Sequence, residues 1–211
     1  MTTSYLTVAR DGEAEIEVRH SRFLCTVARV EEEPVARDLV ARLRKQHWDA
    51  RHHCSAFVLG PAGAVQRSSD DGEPAGTAGA PMLEVLRGAG LSDVAVVVTR
   101  WFGGTLLGAG GLVRAYSDSV RAGLEAVGTV RRDLVLEQRV VLDHADAGRV
   151  EGDLRTRGFT VLGTEYGTRV ELLLGVAPDE VDRLAAVVAE LTSGAVEPVG
   201  AGERWVDRPG R

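Results

Sequence analysis

Three carboxylates, Asp70, Asp71 and Glu73, are bunched by Gly72 and Pro74 in the run SDDGEP. Such a cluster can hold a hard cation such as magnesium through oxygen ligands, or it can be the ordinary grammar of a tight turn. Further on, Arg100 ends the apolar run Val94–Thr99, and the loop Gly103–Gly111 (GGTLLGAGG) follows it. A glycine-rich segment between a strand and a helix offers unpaired backbone N–H groups, and the positive helix end, to a phosphate or carboxylate. Arg100 and Arg114 flank this loop, and the rigid guanidinium fork suits planar anions. The same two arginines can instead pair with Asp70, Asp71 or Glu73 and clasp the two loops together. The candidate ligand-binding set is therefore Arg100, Gly103, Gly104, Gly108, Gly110, Gly111 and Arg114, with Asp70, Asp71, Glu73, Thr77 and His52.

Other chemistries find less support. The second loop fits neither a P-loop, since no Gly-Lys-Ser/Thr follows, nor the dinucleotide fingerprint. His47, His52, His53 and Cys54 invite a zinc reading, and His52 and Cys54 share one face of a strand. No CxxC or second ligand pair accompanies them. Cys54 with His52 is a poor nucleophile pair, because neighbours at i and i+2 rarely meet in attack geometry. Neither a GxSxG elbow nor an HExxH helix occurs. The sequence offers no convincing catalytic set, and no cofactor or metal is expected.

The elements that position these residues follow from periodicity. Ala14–Arg19 alternates as a half-buried strand does, and Phe23–Val30 is its hairpin partner. Glu31–Glu33 and Pro34 open a helix with a stripe of Val35, Leu39 and Leu43 through Lys45. His52–Leu59 is a strand, Ala64–Arg67 a short segment, and Pro81–Leu86 a short helix. Val94–Thr99 is apolar at successive positions, so it is a central strand covered on both faces. A helix opens at about Gly110, with Leu112, Val113, Tyr116 and Val120 facing inward. Near residue 132 the pattern restarts. Leu134–Leu142 is a strand, Asp143 caps a helix carrying Ala147, Val150 and Leu154, and Phe159–Thr164 and Arg169–Leu174 are strands. Pro178 begins a helix with Val181, Leu184, Ala185, Val188 and Leu191 on one face, and Val196–Val206 is a strand interrupted at Gly200–Gly202. The order βαββαβ is that of a ferredoxin-like domain.

The 211 residues are 44% hydrophobic and 27% charged, with formal net charge −6. That composition is ordinary for a globular protein. Residues 1–133 hold 16 basic and 17 acidic groups, and residues 134–211 hold 9 and 14. An acidic balance argues against tight non-specific duplex binding, which needs many phosphate contacts, but leaves room for a local basic patch on the first half. Two cysteines, Cys25 and Cys54, make no disulfide framework, and the first residues carry no basic and apolar leader pattern. No membrane segment is expected, and a cytoplasmic location is.

DDGEPAGTAGAP, with VVVTRWFGGTLLGAGGLVRAYS after it, resembles the signature of the YigZ/IMPACT family. SRF at Ser21–Phe23 and DARHHCSAF at Asp49–Phe57 resemble its other two blocks. Arg51, His53 and Ser55 stand where Thr, Asn and Tyr are more typical, and Trp101 where Tyr is common. The resemblance is close over residues 20–125 and continues by element order. It implies an α+β fold of two domains. Residues 1–132 would be similar to the second domain of ribosomal protein S-five, and residues 133–211 to a ferredoxin-like domain of elongation factor G. Eukaryotic members are linked to translation control through an activator of an initiation-factor kinase. For bacterial members RNA or ribosome association is the usual guess, and some are labelled proline dipeptidases, a label no metal or nucleophile set here supports. The expectation is a non-enzymatic cytoplasmic binding protein taking a phosphate-like anion at the two loops, with RNA, the ribosome or a translation-associated protein as partner. The rival is a magnesium- and phosphate-dependent enzyme acting on a phosphate ester or nucleotide.

Overall fold

In the computed structural model, which describes residues 2–208, the chain forms two sheets and five helices in two compact units, 2–131 and 132–208. The first unit starts with β1 (Ser4–Val8), β2 (Gly12–Val18) and β3 (Ser21–Arg29), followed by helix α1 (Glu33–Gln46). Strands β4 (His52–Leu59) and β5 (Val65–Ser69) then lead to α2 (Gly79–Gly88), β6 (Val94–Trp101) and α3 (Gly108–Val127). The sheet runs β2-β3-β6-β4-β5 with every pairing antiparallel.

The central position of β6 explains its unbroken apolar run. Val94, Val96 and Val98 face a core shared with Met82 and Leu86 of α2 and Leu112, Tyr116 and Val120 of α3. Ala95 and Val97 face the opposite side, against Ala36, Leu39 and Leu43 of α1. Because strand side chains alternate, a strand buried on both faces must be apolar throughout. Cys25 and Cys54 both pair with Val98, from opposite sides of β6. They are two strand spacings apart, about 9–10 Å, too far for a disulfide, and both are free.

The second unit holds most of β7 (Thr129–Leu142), then α4 (His144–Thr156), β8 (Thr160–Tyr166), β9 (Val170–Val176), α5 (Val181–Leu191) and β10 (Val199–Arg208). β9 lies between β7 and β8, and β10 pairs with β7. The order β10-β7-β9-β8 is the ferredoxin-like arrangement, in which the βαββαβ chain puts the first and third strands at the centre. Val140, Leu142, Leu172 and Leu174 form its core with Val150 and Leu154 of α4 and Leu184 and Val188 of α5.

Several details differ from the periodicity. α3 begins at Gly108, because the glycines at 108, 110 and 111 are accommodated in its first turn. β7 starts at Thr129, before its apolar run begins at Leu134. Asp143 occupies the N-cap of α4, but its side chain makes no cap bond and accepts instead from Arg169 Nε at 3.1 Å. α5 follows a separate 3-10 turn at Pro178–Glu180, and Ala185 is exposed. β10 is one strand from Val199 onward, without a break at its glycines. Among the described residues no helix is long and apolar enough to cross a membrane.

Candidate functional site

The run Asp70–Glu73 forms a tight turn closed by Glu73 N donating to Asp70 O at 2.9 Å. Asp71 (φ 44°) and Gly72 (φ 84°) sit at its centre, the positive-φ pair that a type I′ turn requires. The turn sends its three carboxylates to three different places. Asp70 accepts from the backbone N–H groups of Gly76 (2.8 Å), Ala78 (3.0 Å) and Gly79 (2.8 Å), so it caps the start of α2. Burial works against ionisation of Asp70, but these three donors outweigh it and hold the carboxyl below its ordinary range. Asp71 accepts from the His53 backbone N–H at 2.6 Å and pairs with Arg44. Glu73 turns inward. Among the described residues no cluster of acidic, His or Cys side chains is arranged to hold a metal ion.

Glu73 Oε1 meets Arg100 Nη1 at 2.5 Å and the Tyr116 hydroxyl at 2.8 Å. The side chains of Glu73 and Arg100 are only 3% and 7% exposed. Arg100 Nη2 reaches Ser21 Oγ at 3.5 Å, and Ser21 Oγ also accepts from Gly103 N at 3.1 Å. The guanidinium lies 5.3 Å from the Phe23 ring and 5.8 Å from the Phe102 ring. All the donors on Glu73 meet Oε1, while Oε2 has no hydrogen-bond donor among the described residues and is not sealed from solvent. Behind Glu73, the Tyr116 hydroxyl faces the Cys54 thiol at 3.3 Å. Burial pushes the Cys54 thiol up to about 12, with the Tyr116 bond opposing and nearby carboxylates adding. Burial likewise raises the Tyr116 hydroxyl. Both stay protonated at neutral pH, so neither is an activated nucleophile or base.

Glu73 and Arg100 form the floor of a cleft of about 380 Å³. His52 stands beside them, its Nδ1 2.9 Å from Asp71 O and its Nε2 4.0 Å from Glu73 Oε1. Pro74, Phe102, Leu106 and Leu107 wall the cleft, Arg51 lines it too, and Gly108 and Ala109 bring in the start of α3. Among the described residues no side chain caps α3, so its first N–H groups remain for solvent or a ligand. Phe102 is 46% exposed and Leu106 81%.

Of the expected set, the structure thus brings His52, Glu73, Arg100 and Gly108 to one cleft. Asp70, Asp71 and Thr77 hold the first loop in shape, Thr77 by donating to Pro74 O at 2.6 Å. Gly103 lies directly beneath the β2–β3 turn, where a Cβ would sit 2.0 Å from the His20 carbonyl carbon. Gly104, Gly110, Gly111 and Arg114 do not line the cleft, and Arg114 is exposed with no ion-pair partner among the described residues. Sequence reasoning missed Arg51, Phe102 and Tyr116. Phe102 carried a signal, a large aromatic placed just after a buried strand. Tyr116 falls on the inward stripe of α3, and its hydroxyl finds a carboxylate partner only because Glu73 turns inward.

Antiparallel strands layered between helices, followed by a ferredoxin-like unit, define a two-domain α+β protein whose first unit carries the cleft. Residues 19–124 match the Impact N-terminal domain, and residues 140–195 match a domain of unknown function, DUF1949. The chain is 44% identical over 194 residues to IMPACT family member YvyE of Bacillus subtilis, covering 92% of this chain and 89% of the relative. It is 35% identical over 183 residues to IMPACT family member YigZ of Escherichia coli, covering 86% and 90%. A solved structure described as that of a hypothetical protein superposes with TM-score 0.66 at 33% identity, covering 95% of this chain and 98% of that one. The chain belongs to the IMPACT family.

Proposed function

We propose that this protein is a non-enzymatic, cytoplasmic, translation-associated binding protein, and that its first unit takes an anionic ligand, a single-stranded segment of RNA, at the cleft between the two loops. The observation that carries the reading is the meeting of Arg51, the uncapped start of α3 and the half-exposed Phe102 around one opening. Backbone N–H groups at a helix start and an arginine suit a phosphate, and an exposed aromatic suits an unstacked base. Nearby, Arg22 stacks 4.7 Å over Trp101, and Trp48 is 82% exposed, which extends the basic and aromatic character beyond the cleft. The net charge of −6 disfavours binding through many phosphates and favours recognition of a few nucleotides. The link to translation rests on the family resemblance. Asp70, Asp71 and Tyr116 are engaged in structural bonds, which supports binding over turnover.

Titration of the full chain against a fluorescent single-stranded RNA and a duplex of the same sequence tests this. Preferential binding of the single strand, lost on Arg51→Glu, is expected. Absence of binding by either RNA, or turnover of a phosphate ester or nucleotide with magnesium that Asp71→Ala abolishes, would sink the reading.

A further inference from the structure

We infer that the cleft holds one unstacked guanine of a single-stranded RNA, its Watson–Crick edge meeting Glu73 Oε2, His52 Nε2 and the Arg100 guanidinium. This rests on the RNA reading above and goes further by naming the base.

Glu73 is 3% exposed in its side chain, yet its Oε2 has no donor among the described residues and is open toward the cleft it lines. A ligand N–H that reaches the cleft floor would pair with this carboxylate oxygen in a low-dielectric place, where a charge-assisted bond is strong. His52 Nδ1 faces the Asp71 carbonyl at 2.9 Å. A carbonyl can only accept, so Nδ1 carries a proton, and in the tautomer with that proton alone Nε2 presents a lone pair. That lone pair lies 4.0 Å from Glu73 Oε1, which sets a second acceptor beside the Glu73 carboxylate. Next to them, Arg100 makes one short bond to Glu73 and one long bond to Ser21 at 3.5 Å, out of five N–H donors.

Two acceptors beside a donor select among the bases. Guanine alone presents two adjacent donors, N1–H and the N2 amine, next to an acceptor, O6. Adenine and cytosine each present one amine beside a ring acceptor, and uracil presents one N–H between two carbonyls. Any of these would leave one floor group facing its own kind. A volume of about 380 Å³ accommodates a base and excludes a duplex. Phe102 offers the stacking surface, and Arg51 with the start of α3 meets the adjoining phosphate.

The test is fluorescence anisotropy of the full chain with short oligouridine strands that differ in one central base. The strand with guanine should bind about tenfold more tightly than those with adenine, cytosine or uracil, the scale of a two-bond base contact. Inosine in place of guanine, which removes only the N2 amine, should lose most of that preference on the unaltered protein. Phe102→Ala should weaken all four strands alike with an unchanged melting temperature. Equal affinity for all four strands would overturn the guanine assignment and leave the RNA reading standing. Absence of binding by any strand would overturn both. Free 5′-GMP competing as well as the guanine strand would keep the base and overturn the RNA. Should Glu73→Gln fold, it should erase the guanine preference; a retained preference in that folded variant overturns the assignment. If it does not fold, the inosine comparison decides.

Discussion

Arg100 Nη1 donates to Glu73 Oε1 at 2.5 Å, joining the end of β6 to the first loop with both side chains more than nine-tenths buried. This single bond carries much of what holds the cleft in shape, since Tyr116 and Ser21 organise themselves around its two ends. Removing one member strands the other charge in a low-dielectric setting, which costs about 3–5 kcal/mol. Arg100→Ala and Glu73→Ala should each lower stability by that amount. The double change Glu73→Leu with Arg100→Met should recover most of it. Urea denaturation of the three variants measures this, and additive losses in the double variant would show that the pair is not coupled.

Asp70 gives a pH signature. Its folded carboxyl lies below its ordinary value, because the donors from Gly76, Gly79 and Ala78 outweigh burial. A carboxyl depressed on folding contributes stability above its unfolded pKa, and that stability is lost as pH falls through the lower, folded pKa. Asp70→Asn should therefore cost about 0.5–2 kcal/mol at neutral pH, the worth of a helix cap. The difference from the parent should shrink as pH drops below about 4, the unperturbed carboxylate range. Melting curves across pH 3–7 for both proteins would show convergence at the acid end; a gap that stays constant with pH would refute the capping role.

Two glycines of the second loop should respond in opposite directions. A Cβ at Gly103 would stand 2.0 Å from His20 C and O and 2.4 Å from Ser21 N, all backbone of a turn already held at positive φ by Arg19 and His20. Nothing there is a flexible side chain, so the hairpin or the loop must move, and the Ser21–Gly103 bond goes with it. Gly103→Ala should cost about 1–3 kcal/mol, the scale of an overpacked site. Gly110 lies in the first turn of α3 with nothing within 4 Å of a Cβ. Gly110→Ala should stabilise by about 0.4–1 kcal/mol, chiefly by restricting the unfolded chain. Thermal melts of the two single variants read both signs directly.

What the sequence made legible here is what repeats. The alternation in β2, the continuous run in β6, and the stripes on α1 and α3 each report burial through a period, and burial is what decides the elements. The partnership of Arg100 with Glu73 was legible as one of two alternatives, since either a ligand or a local carboxylate can satisfy a strand-end arginine. The choice needed the backbone angles of Asp71 and Gly72, which swing Glu73 inward while Asp70 goes to α2. Arg51 and Phe102 carry no period at all. They join the cleft because β4 and β6 are neighbours in register, His52 opposite Arg100, and register between strands far apart in the chain leaves little local trace.

The second unit offers a folding test. Its core, from Val140 and Leu142 to Leu184 and Val188, is drawn from residues beyond 132. We expect a fragment comprising residues 129–211, which keeps β7 whole, to melt cooperatively on its own. A fragment with no cooperative transition by circular dichroism would mean that this core depends on the rest of the chain.

The thiols make the last prediction. Burial pushes both Cys25 and Cys54 up to about 12, so at pH 8 the reactive thiolate fraction of each is below about one part in a thousand. Neither side chain reaches solvent, both residues being 0% exposed. The folded protein should therefore react with a disulfide reagent only as fast as it opens, and both thiols should titrate at once in denaturing urea. The two sites should differ in how they open. Cys25 lies under α3, with Gly123 packed so closely that a Cβ there would be 2.8 Å from the sulfur. Cys54 donates to Asp70 O at 3.0 Å and leans on the Glu73–Tyr116 bond. Glu73→Gln, by loosening the first loop, should speed labelling of Cys54 more than that of Cys25. Peptide mapping of a labelling time course separates the two rates, and equal acceleration at both cysteines would mean that Glu73 supports the whole unit rather than the cleft.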